Sequence, residues 1–343
     1  MLHSIDVYEL GATGDGATDD TKPLQDAIDL AVKTGRSVEL REGRFLCGVL
    51  YMKPNVHIRG NATWGYRRDS AGQTVILQRD SKQNCQIDMT TSNGVTLDGL
   101  SLLGNNSGNC AGLLSCKPNY GAQEDAYRIE NCRVANYTSH AVFLDHIWCF
   151  SVRHCMFAFC GGDGLRINGW DGFVIDNWFS GNRGAGFGTE GPNASVTMTG
   201  NRIEWNARGG IVLDGGSHYN ITGNYIDRSG SAGISLTRIN VASATGNVIY
   251  RSGKFQPDTP DSAQVILDGC SGIVFSGNTM NAGRDDGDKG DWTPNYALRV
   301  HNLKDCAVTS NVMFRGGMTG LLDDRGGHEN SLITDNVGSV AVN

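Results

Sequence analysis

The chain has 343 residues, of which 47 are Gly and 28 are Asn but only 7 are Pro; 39% are apolar and 19% are charged. So many turn formers with so few Pro exclude a mainly helical chain, a collagen-like chain and a disordered one. The formal charge of −7 argues against a general nucleic-acid partner. No apolar run reaches the ~18–20 residues of a membrane span. Met1 to Leu10 lacks the basic and apolar regions of a signal peptide, so a cytoplasmic address is expected. Ten Cys at no zinc-like spacing read as reduced core thiols, and no metal site or cofactor is inferred from them.

In chain order, GATGDGATDDTKPLQDAIDLAVKTG predicts a turn and then a helix, with Pro23 in the first helical turn and an apolar stripe of Leu24, Ala27, Ile28, Ala31 and Val32. Residues 1–36 are read as turn and cap, since a solenoid needs its open end covered. SVELREGRFLCGVLYMKPNVHIRGN gives the first strands, and residues 37–343 are coils.

From residue 128 a string recurs that is anchored on Cys132, Cys155, Asn177, Asn201, Asn224, Asn247, Asn278, Asn311 and Asn336, with a commonest step of 23 residues. A second string, Gly-apolar-any-apolar-polar, follows most anchors and ends on Asp145, Asn168, Glu190, Asp214, Thr237, Asp268, His301 and Asp324. Both alternate with period two and so read as strands. A period near 23 with an Asn anchor and a Gly-rich second half selects one coil of a solenoid. The predicted fold is all-β: a single domain over 1–343, a single-stranded right-handed parallel β-helix of about ten to twelve coils with an N-terminal capping helix. Stacked Asn would bond to one another inside the turn, with Cys132 and Cys155 as apolar filler. Gly11 to Asp29 and Gly43 to Gly60 resemble the opening strings of pectate-lyase-like and polygalacturonase-like β-helix proteins. That resemblance implies the fold, while hydrolases, lyases, fructotransferases, epimerases and tailspikes all share it. The "NTD" and "GHG" strings of polygalacturonases are absent, so no catalytic residue is carried over. The architecture is also similar to inulin fructotransferases, which work through paired acids.

Counting from each anchor, residues +1 and +3 point outward. The middle coils therefore place Trp178, Arg202, Glu204, Tyr225, Asp227 and Tyr250 on one exposed face, followed directly by Trp205 and Arg228. Glu204 and Asp227 hold the same place in adjacent coils, ~4.8 Å apart at the backbone, so one carboxyl is expected to titrate high. Such a pair suits acid/base and nucleophile-or-base work on a glycosidic bond. Arg166, Arg202 and Arg228 would bind hydroxyls or an anionic group, and the rings would stack on sugar. Glu190 is a further candidate, because Glu is a poor turn former.

Enlarged loops at about 251–264 and 281–296 offer Asp285, Asp286 and Trp292 as a substrate wall; their acids allow calcium, though the EF-hand string is missing. The functional expectation is a carbohydrate-active enzyme that cleaves or transfers a glycosidic bond. The alternatives are a polysaccharide lyase acting on a uronic acid through Arg or Tyr, and a non-catalytic carbohydrate-binding or tailspike-like module. A homotrimer is compatible with this architecture.

Overall fold

The computed structural model describes residues 4–62, 65–66, 72–253, 262–283 and 293–341. They cluster into two compact units, Met1–Phe173 and Val174–Asn343. Within each, short strands pair in parallel with the equivalent strands of the next coil, which is the pattern of a parallel β-helix.

The first unit opens with the predicted helix, Thr21–Thr34, which buries Leu24, Ala27, Ile28 and Ala31. Leu24 and Ile28 face Val38, Leu40, Leu50, Ile58 and Ile76, so the helix covers the apolar interior of the first coils. Val32, expected in the same stripe, is 49% exposed instead. It lies one position past Ala31, beyond the edge of the buried arc. Asp20 explains the acidic turn ahead of the helix: its Oδ1 accepts from Thr13 N at 2.7 Å and its Oδ2 from Gly14 N at 3.0 Å. That carboxylate spends itself on the backbone and is structural.

Cys132 and Cys155 do more than fill space. Cys155 Sγ accepts from Cys132 N at 3.4 Å and donates to Ile129 O, also at 3.4 Å. The Cys155 thiol thus makes the kind of bonds expected of an anchor Asn, with a weaker donor and acceptor, while that of Cys132 donates to Leu97 O at 3.6 Å.

The second unit contains three strand lines. The line after the anchors comprises Trp178–Ser180, Arg202–Glu204, Tyr225–Asp227, Val248–Tyr250, Thr279–Asn281, Val312–Met313 and Val337–Gly338. A middle line starts with Ala185–Glu190, Gly209–Asp214 and Ile234–Thr237, and a line before the anchors with Ala194–Thr199, Ser217–Thr222 and Asn240–Thr245. Phe179, Ile203, Ile226, Ile249 and Met280 occupy one buried column in register.

The corner ahead of the anchored strands carries a polar spine. Asn201 donates from its backbone N and its Nδ2 to Asn224 Oδ1, at 3.0 and 2.9 Å, and also from Nδ2 to Val174 O at 2.9 Å. The pattern repeats from Asn224 to Asn247, then Asn278, Asn311 and Asn336. Buried polar atoms are thereby satisfied along the stack. The residue before each of these Asn turns left-handed: Gly200, Gly223, Gly246 and Gly277 have φ between 65° and 68°. Glycine takes that conformation without a Cβ penalty. The glycines opening the middle line answer to a different constraint. A Cβ on Gly210 would meet Gly233 O at 2.4 Å and Ile226 Cγ2 at 2.7 Å, so there it is close approach that excludes a side chain.

Candidate functional site: an arginine, aromatic and carboxylate ladder

Three in-register columns of the second unit build the site. The first runs Trp178, Arg202, Tyr225 and the second Ser180, Glu204, Asp227, Tyr250. The third is the residue after each strand: Trp205, Arg228 and Arg251, all at positive φ (61°, 50° and 47°). Non-glycine residues rarely sit there. Asn182 N and Nδ2 donate to Asn206 Oδ1 at 3.2 and 2.9 Å, and Ser229 N to Ser252 Oγ at 3.3 Å. This second inward spine, one residue beyond the third column, fixes the left-handed corner from which Arg228 and Arg251 reach Asp227.

Glu204 and Asp227 are register partners, as the spacing predicts. They are not on an exposed face: Glu204 is 6% and Asp227 3% exposed. Their neighbours cover them. Glu204 accepts from Trp178 Nε1 at 3.0 Å on Oε1 and from Arg202 Nε at 2.9 Å on Oε2. Asp227 receives a two-pronged grip from Arg251, Nε to Oδ1 at 3.0 Å and Nη2 to Oδ2 at 2.8 Å, and Arg228 Nη1 adds a third bond to Oδ2. Burial pushes the Asp227 carboxyl above its ordinary value; Arg251 and Arg228 pull it down, and the charge on Glu204 adds to the rise. The expected rise is present, but desolvation is its main cause and the like charge a lesser one.

The aromatic rings are engaged by guanidinium groups. Arg202 lies between Trp178 and Tyr225, its Cζ 5.3 and 4.6 Å from the ring centroids; Arg228 lies 4.4 Å from the Trp205 ring and Arg251 3.9 Å from that of Tyr250. Stacking of this kind holds a planar cation flat. Ring faces read as sugar platforms are thus shared with Arg, leaving the exposed Trp205 as the largest open ring surface of the group.

Of the other expected residues, Glu190 closes its strand in register with Asp214, on the middle line rather than the line of Glu204 and Asp227. Arg166 belongs to the first unit, where its Nη1 is 3.3 Å from Asp163 Oδ2. Asp285, Asp286 and Trp292 lie outside the described residues. The sequence reading missed Arg251. Its signal was present: it stands four residues after Asn247, as Arg228 does after Asn224 and Trp205 after Asn201. Among the described residues no group of three or more His, Cys, Asp or Glu could hold a metal ion. No helix among them is long and apolar enough to cross a membrane.

The family model described as "Periplasmic copper-binding protein (NosD)" matches residues 55–258, and that described as "Right handed beta helix region" matches residues 188–343. The chain belongs to the NosD family. The second description gives the solenoid as right-handed. None of the curated proteins matches the sequence. Among solved structures, tailspike protein 2 of an Escherichia coli O157:H7 bacteriophage is 14% identical with a TM-score of 0.72, over 89% of this chain and 42% of that one. The A-module of a mannuronan C-5 epimerase from Azotobacter vinelandii is 18% identical, TM-score 0.64, over 98% of this chain and 99% of that one. The catalytic unit of a GH87 α-1,3-glucanase from Streptomyces thermodiastaticus is 15% identical, TM-score 0.64, over 96% and 69%. The chain spans less than half the length of the tailspike. At these identities the likeness is one of fold.

Proposed function

We propose that this NosD-family chain is a carbohydrate-active enzyme that cleaves or transfers a glycosidic bond at the Glu204–Asp227 pair. The carrying observation is that these carboxylates are register partners on adjacent parallel strands, nearly buried, and ringed by Arg and aromatic side chains. Carboxyl groups one strand apart fall near the ~5–5.5 Å separation that suits a covalent glycosyl intermediate. Asp227, gripped by Arg251 and Arg228, serves as nucleophile or base. Glu204 serves as acid/base; its partner Arg202 has a side chain 44% exposed, so substrate reaches the pair from that side. That chemistry needs no cofactor. Support from likeness is limited to fold: proteins of this architecture include one named a glucanase and one named an epimerase of mannuronan. Ten cysteines, none in a disulfide, favour a reducing compartment, whereas the family description reads periplasmic.

A second reading, elimination across a uronic acid, is favoured by the three guanidinium groups and by the Tyr225 ring beside Arg202. The test is an oligosaccharide panel read by mass spectrometry and ultraviolet absorbance, with Glu204→Gln and Asp227→Asn alongside. Loss of cleavage in both variants is expected; survival of turnover in both overturns the paired-acid mechanism. An absorbing unsaturated product selects elimination, and binding without turnover of any sugar selects a binding module.

A further inference from the structure

We propose that the ladder takes a saccharide carrying an anionic group, a carboxylate or sulfate, and that Arg202 is the residue that selects it. The proposal rests on the reading that the ladder is the substrate site, and holds for bond cleavage, elimination or binding alone.

Three guanidinium groups, Arg202, Arg228 and Arg251, surround two carboxylates, Glu204 and Asp227, leaving one positive charge in excess. The excess stands out in a chain whose formal charge is −7. It is also localised. Arg251 is 4% exposed and spends its Nε and Nη2 on Asp227. Arg202 spends only Nε, on Glu204. Its two terminal nitrogens carry four N–H donors that no acceptor among the described residues takes, and its side chain is 44% exposed.

Those donors are held in a fixed direction. Trp178 and Tyr225 flank the guanidinium at 5.3 and 4.6 Å, and the Nε bond to Glu204 sets its rotation, so the outward edge is a planar fork. Such a fork matches the two oxygens of a carboxylate or sulfate. A neutral sugar hydroxyl uses one of those donors and leaves the charge unneutralised. The rings that hold the fork also present apolar edges on which the pyranose body of the same sugar unit can lie. Exposure of the charge makes the interaction sensitive to salt.

The test uses the full chain with Asp227→Asn to stop turnover, a change that leaves the partner of Arg202 intact. Binding is followed by calorimetry with oligogalacturonate, oligomannuronate and a heparin-derived sulfated tetrasaccharide, against neutral maltotetraose and laminaritetraose, at 50 and 300 mM salt. At least one anionic probe is expected to bind at least ten-fold more tightly than either neutral one, with the margin shrinking at the higher salt. Arg202→Gln should remove roughly ten- to a hundred-fold of that affinity and weaken the neutral probes by less than about ten-fold. Arg202→Lys, with the charge but not the fork, should fall between. Unchanged melting of both variants shows that the fold is intact. The proposal is overturned if neutral probes bind as well as anionic ones, if no anionic probe binds, or if Arg202→Gln leaves anionic affinity where it was. Cleavage of neutral sugars alone, lost in Glu204→Gln but not in Arg202→Gln, would overturn the anion assignment and leave the paired-acid reading standing. Anion binding lost in Arg202→Gln, with no sugar turned over, would do the reverse.

Discussion

Arg251→Met removes one side of a buried ion pair and leaves its partner in place. Arg251 is 4% and Asp227 3% exposed, and two hydrogen bonds join them. Breaking a buried pair by deleting one partner costs ~3–5 kcal/mol. Arg228 still donates to Asp227 Oδ2, so the lower end, about 3 kcal/mol, is expected. For a cooperative unit of 150–250 residues that corresponds to a melting point roughly 6–12 °C lower. The pH dependence has a definite sign. Burial raises the folded-state pKa of Asp227 above its unfolded value. Ionisation of this acid therefore opposes folding; the penalty is fully present above the folded pKa and is relieved as pH falls through it. Loss of Arg251 removes a group that pulls that pKa down, so the folded value climbs further in the variant. The deficit against wild type should be largest at neutral pH and shrink in mild acid. Thermal melts of both proteins from pH 4 to 8 measure it, and Asp227→Asn in the Arg251→Met background should restore more than half of the neutral-pH loss. A variant that melts within 2 °C of wild type at pH 7, with no pH dependence of the difference, would refute the view that Arg251 is the main counter-charge of a buried Asp227.

Three further outcomes follow from the coils. Asn224→Ala takes the acceptor from Asn201 N and Nδ2 and the donor from Met198 O, all buried; it should cost at least about 3 kcal/mol in urea unfolding, and a loss below about 1 would mean that water replaces the ladder. Gly223→Ala and Gly210→Ala should separate two uses of glycine. The first, at φ 65° with nothing near its Cβ, should lose ~1–2 kcal/mol; the second, blocked by a backbone oxygen at 2.4 Å, should lose clearly more, and equal losses would contradict the distinction. In native protein a thiol reagent should titrate quickly only the exposed Cys116 and the half-buried Cys149, with the other eight of ten reacting on unfolding; fast reaction of most thiols would show the core to be open.

The repeat made much of this protein legible without coordinates. In parallel strands stacked in register, a step of 23 residues in sequence is one strand spacing in space, so equal places in the repeat become neighbours. That is why Glu204 and Asp227 were paired from spacing alone, and why Asn177 through Asn336 were read as a spine. The helix over the open end was readable from the stripe of Leu24, Ala27, Ile28 and Ala31.

Burial and partner choice were not readable, because the period fixes a column and not the reach of a side chain within it. Outward position +3 implies exposure until the neighbours are placed: Trp178 and Arg202 from one side, and Arg228 and Arg251 from the other, then close over the acids. Arg202 turns back to Glu204 on its own strand, whereas Arg251 reaches across one coil to Asp227. Arg202 lies within a strand, whereas Arg228 and Arg251 both stand in the left-handed corner after one, and from that corner Arg228 meets the Asp227 of its own coil while Arg251 meets it from the next. The sequence by itself determined which residues share a column; the tertiary structure decided which charges meet, because a single left-handed residue redirects a side chain by more than any repeat pattern records.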